Sequence, residues 1–163
     1  MRFTTHRNGH KGFSLLEVLV TVVILSVALL GLAGLMLSSM RNNHSAYQRS
    51  QATWLAYDII DRARANRNLA LAGSYSLALS SSAPECTLPS ADEDDEGTEP
   101  TPEPIQTLDL RQWRCALWDT LPGGVGSVTV TPGNRTISVV IQWDDSRGAG
   151  GGTAQQFRVD SQL

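Results

Sequence analysis

The chain has 163 residues, enough for one modest domain and an appendage. Its formal charge is −3, but Arg2, Arg7 and Lys11 sit in the first 12 residues with no acid beside them. The remainder holds 10 basic and 16 acidic residues, or −6, which argues against a nucleic-acid partner, since phosphate recognition needs a basic face. The two cysteines lie far apart and no CxxC or His/Cys cluster suggests zinc.

Hydrophobic content is 41%, unevenly spread. Phe13 to Met40 is almost wholly apolar, and no charged residue falls between Val18 and Ser38. About 21 residues at about 1.5 Å each span about 31 Å, the depth of a bilayer core. With the basic residues on its N-terminal side, the segment is expected to keep its N-terminus in the cytoplasm and send the rest outward. The run is longer than the core of an ordinary cleaved signal peptide. A plain signal anchor has no use for Glu17, five residues into the run. A carboxylate at that depth is costly and needs a cation at the same depth. A free α-amino group, made by cutting the chain just before the run, is the most economical one.

The stretch "KGFSLLEVLV" resembles the class III leader of type IV pilins and of the pseudopilins of type II secretion. The resemblance implies cleavage by a prepilin peptidase between Gly12 and Phe13 and N-methylation of Phe13. It makes Glu17 the assembly glutamate, which pairs with the terminal amine of a neighbouring subunit. Such a pair offsets two desolvation penalties and fixes register more than it adds stability. Residues 1–12 are then a leader and 13–40 the transmembrane or filament-core half of a long helix.

Helix-forming residues continue past the apolar run, with no proline before Pro84. Tyr47, Gln51/Ala52, Leu55, Ile59 and Ala63 recur at three-to-four spacing, flanked by Trp54, Ile60 and Arg64. Arg49, Asp58, Asp61 and Arg62 take the other side. An amphipathic extension to about Asn68, stopped by Gly73, is expected within residues 41–72. Gly31 and Gly34 either kink the first half or allow close helix packing. His44 reads as a solvent-facing or boundary residue. The segment "SQATWLAYDIIDRARANR" and the run "ALLGLAGL" resemble minor pilins of the PilV type, the type IV pilus modification proteins.

Residues 73–163 read as a periplasmic, β-rich body interrupted by an acidic, proline-rich loop over 87–106. Outside the cytoplasm Cys86 and Cys115, which flank the loop, are expected to form a disulfide, the alternative being two free thiols. Asp92, Asp94, Glu96 and Gly97 stand at positions one, three, five and six of an EF-hand-like loop, with Glu103 at position twelve. Pro100 and Pro102 interrupt that pattern, position eight is Glu99, and no helix pair flanks it. The preferred reading is therefore a solvated loop with no cofactor, with calcium as the rival.

"TLDLRQWRCALWDTLPGG" predicts a short amphipathic helix capped by Thr107 or Asp109, with Leu110, Trp113/Arg114, Leu117/Trp118 and Leu121 along one face. Three antiparallel strands follow, "SVTVT", "TISVVIQW" and "AQQFRV", the second central. Val128 and Val130, then Ile137, Val139, Ile141 and Trp143, then Phe157 and Val159 face the core. Asp144 and Asp145 read as turn chemistry in a flexible "DDSRGAGGG" connection. The fold class is α+β: a long helix packed on a small antiparallel sheet.

No His follows residue 44, so no Ser–His or Cys–His site forms in the body from this chain alone, and no enzyme activity is expected. The resemblance implies a minor pilin in the bacterial inner membrane before assembly and in the extracellular pilus after it. There it helps initiate or prime pilus assembly and so supports twitching motility, adhesion or DNA uptake. Its implied partners are the prepilin peptidase, other minor and major pilins, the inner-membrane assembly platform and a candidate tip adhesin. Two rivals stand beside it: a type II secretion pseudopilin, and a calcium- or ligand-binding tip module on a pilin anchor.

Overall fold

A computed structural model describes residues 12–86, 103–148 and 150–163. The chain divides into two compact units, Met1–Met40 and Arg41–Leu163. In the first, helix α1 (Leu15–Ala65) begins at Leu15 and runs unbroken through Gly31 and Gly34. Every described side chain before Arg41 is exposed.

In the second unit, α1 continues from Arg41 to Ala65 and buries Gln48, Ala52, Leu55, Ala56, Ile59, Ile60 and Ala63. Spacings of three and four put these on one stripe. Tyr47, expected on it, is exposed, and the stripe instead starts one residue later at Gln48. A half-buried Ser45 three residues earlier continues the same line. The helix stops at Ala65 rather than near Asn68, because Asn66 leaves helical geometry (φ −113°, ψ 44°). Its amide hydrogen-bonds the Tyr75 hydroxyl at 2.9 Å. A one-turn helix α2 (Arg67–Leu71) follows, and Gly73 turns the chain with φ +87°.

Helix α3 (Ile105–Thr120) starts at Pro104 with no side-chain cap, so neither Thr107 nor Asp109 caps it. Pro104 is suited to the position, since it has no N–H to leave unpaired. Asp109 points into the body and is taken by Tyr75 and Arg62. Trp113 and Leu117 are fully buried, Leu121 follows at the C-terminal end, and Trp118 is 39% exposed. The Trp113 indole N–H donates to the Leu55 carbonyl of α1 at 2.8 Å, so its one polar atom is satisfied inside the core.

Strands β1 (Val125–Thr131), β2 (Thr136–Trp143) and β3 (Gln155–Gln162) form an antiparallel sheet in the order β1-β2-β3. Val128 pairs with Val139, and Val139 with Val159, so the inward positions align across all three strands. Ile137, Val139, Ile141 and Trp143 alternate inward from the central strand, and Phe157 and Val159 pack on the edge of the core. Leu77 adds a single bridge to Val128 on the outer edge of β1. Gly126 lies beneath the Trp113 ring, which leaves no room for a Cβ. The α+β layout, a long helix on a three-stranded antiparallel sheet, is the one the sequence predicts.

The Cys86–Cys115 disulfide is formed, with Cα atoms 5.6 Å apart. It ties the segment after the Leu77 bridge to the third turn of α3 across a separation of 29 residues. Closing a loop of that length stabilises by about 3–4 kcal/mol in the chain-entropy model.

Candidate functional site

The candidate site is the start of α1. Gly12, Phe13 and Ser14 precede the helix and are exposed. The Ser14 hydroxyl accepts the Leu16 N–H at 3.3 Å, and its carbonyl accepts the N–H groups of Glu17 at 3.0 Å and Val18 at 3.3 Å. Ser14 therefore acts as the helix cap and places Glu17 in the first turn, where the helix dipole favours a negative charge. The sequence carries this signal as the Ser14-x-x-Glu17 spacing. Among the described residues the Glu17 carboxylate has no hydrogen-bond or ion-pair partner, in contrast to the two hydroxyls that follow. Thr21 donates to the Val18 carbonyl at 2.8 Å and Ser26 to the Val22 carbonyl at 2.7 Å, so both are satisfied within the helix. Gly12 has open space where a Cβ would sit, so nothing in this chain's packing requires glycine there.

The other sites named from sequence fall elsewhere. Asp92, Asp94 and Glu96 of the calcium pattern lie outside the described residues. Glu103 pairs with Arg111 at 2.5 Å, with both side chains partly buried. Cys86 and Cys115 are in their disulfide, and His44 is exposed with its Nε2 3.0 Å from the Gln48 amide nitrogen. Among the described residues no group of three or more His, Cys, Asp or Glu side chains gathers as a metal site.

Two polar clusters in the Arg41–Leu163 unit were not legible. In one, the buried Tyr75 hydroxyl donates to Asp109 Oδ2 at 2.5 Å while Arg62 Nη1 reaches Asp109 Oδ1 at 3.2 Å and Arg62 Nε reaches Asp58 at 3.1 Å. Burial, and then the hydrogen bond to Asp109, push the Tyr75 phenol up to about 12. Burial works against the charge on Arg62, but Asp58 and Asp109 outweigh it and raise its pKa. In the other, Asp145 is 1% exposed and accepts the Ser45 hydroxyl at 2.6 Å. The Gly-rich connection wraps this residue: Asp145 N–H donates to the Gly152 carbonyl at 2.9 Å, and Gly148 N–H donates to the Asp145 carbonyl at 2.8 Å. A Cβ at Gly148 or Gly151 would overlap Asp145. The connection is therefore packed rather than free, and only Asp144 does turn chemistry. Its carboxylate accepts the Ser146 backbone N–H at 2.8 Å, which with the Ser146 hydroxyl lowers its pKa. On β3, hydrogen bonds from Ser138 and then Arg158 lower the pKa of Asp160.

Residues 7–33 match the family model described as the prokaryotic N-terminal methylation motif. No curated protein and no solved structure matches the chain. The matched stretch contains Gly12, Phe13 and Glu17 and the first part of α1. The long apolar helix that follows is long enough to cross a membrane. The methylation motif, with this helix and the α+β body, supports a precursor of the pilin-like family, a type IV pilin or a pseudopilin.

Proposed function

We propose that the chain is the precursor of a minor type IV pilin of the PilV type and acts as a structural subunit rather than an enzyme. Its leader is cut between Gly12 and Phe13 by the prepilin peptidase, and Phe13 is methylated. Before assembly α1 spans the inner membrane with its N-terminus cytoplasmic and residues 73–163 in the periplasm. After assembly the subunit stands in the pilus with other minor and major pilins. There it helps initiate or prime the filament and so supports twitching motility, adhesion or DNA uptake. The observation that carries this reading is the methylation motif over residues 7–33, with Glu17 inside it. The physical role of Glu17 follows from its position. A carboxylate in an apolar helix is costly alone, and the Phe13 amine of a neighbouring subunit removes that cost while fixing the stagger of the two helices.

The test is Glu17→Ala. The variant should insert in the membrane and be cleaved and methylated like the wild type, as read by the mass of its N-terminal peptide. Its incorporation into sheared pili, read by immunoblot, should fall sharply. Normal incorporation of the variant would remove the pairing role. Pseudopilins share the methylation motif, so co-purification separates the two readings. Minor pilins in the co-purified set favour the pilus; secretion proteins favour the pseudopilin.

A further inference from the structure

We propose that Asp145, Gln48 and Ser45 form a binding site for one monovalent hard cation, sodium, between helix α1 and the β2–β3 connection. The three residues all belong to the Arg41–Leu163 unit, and the site does not depend on the pilin reading.

Asp145 is 1% exposed, and its main chain is fully used. Its N–H donates to the Gly152 carbonyl, and its own carbonyl accepts the Gly148 N–H. Of its carboxylate oxygens, Oδ2 accepts the Ser45 hydroxyl at 2.6 Å, while Oδ1 is buried with no hydrogen-bond partner. Among the described residues no Lys, Arg or His forms an ion pair with it. Arg147, two residues along, is exposed and acts on Asp144 instead. A negative charge is therefore buried with one hydroxyl to hold it, which is costly unless a positive charge joins it.

Gln48 lies three residues from Ser45, on the same face of α1, and is 4% exposed. Its Nε2 is 3.0 Å from His44 Nε2, which leaves Oε1 buried with no partner. Two buried oxygens without partners thus accompany Ser45, whose Oγ keeps its lone pairs after donating its hydrogen. Trp143 Nε1, two residues before Asp145, is also buried without a partner, but it is a donor and stands outside the ligand set. The Gly-rich connection closes over the carboxylate. A Cβ at Gly148 would overlap the Asp145 carboxylate, and one at Gly151 the Asp145 carbonyl, so glycine at both lets the chain lie this close.

The ligand follows from these atoms. All are hard oxygen acceptors, which suit a hard cation rather than a soft transition metal. A water molecule would donate to both oxygens but leave the buried charge unbalanced. Charge also sets the valence. One carboxylate balances one positive charge, whereas calcium sites gather several carboxylates to hold two. Asp144, the neighbouring acid, is already bonded to the Ser146 N–H and adds no second charge to the set.

Urea denaturation of the full chain in detergent micelles, followed by tryptophan fluorescence, tests the site. Sodium chloride is compared with choline chloride at equal ionic strength, so that screening cancels and the bulky cation is shut out. Sodium at about 100 times its Kd should raise the folding constant about 100-fold. Asp145→Asn keeps the shape and removes the charge. It should lose the sodium response and, in choline, be at least as stable as the wild type. Gln48→Glu adds a second carboxylate, so it should be destabilised in choline and restored by calcium. If Asp145→Asn fails to fold, the wild-type salt comparison and the calcium response of Gln48→Glu still decide. Equal wild-type stability in the two salts, a sodium response that survives Asp145→Asn, or a wild-type response to calcium alone would overturn the inference. So would a Gln48→Glu variant destabilised alike in every cation, which would mean that the Gln48 amide bonds Asp145 directly.

Discussion

Leu15–Met40 and Arg41–Ala65 belong to one helix but meet different surroundings. In the first stretch every side chain is exposed, Leu, Val and Ile included. In the second, one stripe from Gln48 to Ala63 is buried, and apart from Ala46 and Ala65 the rest is polar or aromatic. The same residue types therefore do different jobs. Ala52, Ala56 and Ala63 are buried within their own unit, and their small size fits the packed core there. Ala28 and Gly31 have no such neighbours. Order in the second stretch comes from burial inside the chain, whereas the first buries none of its side chains there.

The largest expected effect tests that division directly. Ile59 is fully buried in the second stretch, and truncating such a residue costs about 2–5 kcal/mol. Leu29 is of similar size but 58% exposed in the first. All four tryptophans, Trp54, Trp113, Trp118 and Trp143, lie in the Arg41–Leu163 unit, so tryptophan fluorescence follows its unfolding selectively. In the full chain held in detergent micelles, Ile59→Ala should lower the denaturation midpoint strongly and Leu29→Ala should leave it in place. Equal shifts would mean that the two stretches unfold as one body, and the contrast would be lost.

A smaller effect comes from the polar cluster that binds the second stretch to the rest of its unit. The Tyr75 phenol is raised to about 12 from an ordinary value of 10.0. The unfolded chain therefore loses this proton near pH 10 while the folded chain keeps it, so stability is fully present below pH 10 and is lost as pH rises toward 12. A shift of this size corresponds to at most about 3 kcal/mol. Tyr75→Phe should flatten that alkaline loss and lower stability at neutral pH, because Asp109 and Asn66 each lose a partner. An alkaline transition in Tyr75→Phe as steep as the wild type's would assign it to another group.

The sheet was legible because alternation and turn residues are local signals. The "TISVVIQW" strand has the bounds the structure gives, and its four inward residues are the buried ones. The two halves of α1 were legible for the same reason, through a long apolar run and then a three-to-four spacing. Only the first member of the stripe was misplaced, since Tyr47 looks more apolar than Gln48; Ala52, Leu55, Ile59 and Ala63 are buried as expected. Three residues before Gln48, the Ser45 hydroxyl donates to Asp145, 100 residues away, a contact that leaves no local trace. Asp109 was misread as a cap because its real partners, Tyr75 and Arg62, stand 34 and 47 residues away. Polar groups that pair across such separations leave no periodic trace. At the start of α1, residue identity and spacing carried the reading, and the cap at Ser14 was the local signal passed over.

The smallest expected effect probes a side of the second stretch that behaves like the first. Trp54 is 75% exposed, with Tyr57 beside it at 50%, on the flank of α1 away from Ala52 and Ile59. Truncating a buried tryptophan to alanine costs about 3–5 kcal/mol. Surface substitutions away from special features fall within about 0.5 kcal/mol. Trp54→Ala should therefore leave the unfolding midpoint of the full chain within error of the wild type, as Leu29→Ala does. Trp113 and Trp143 still report the transition, so the measurement survives the loss of one fluorophore. A large drop would show that the Trp54 ring packs within its own unit and would confine the externally satisfied part of α1 to residues before Arg41. An unchanged midpoint would show that this flank of the helix, like the side chains before Arg41, adds nothing to the stability of its own unit.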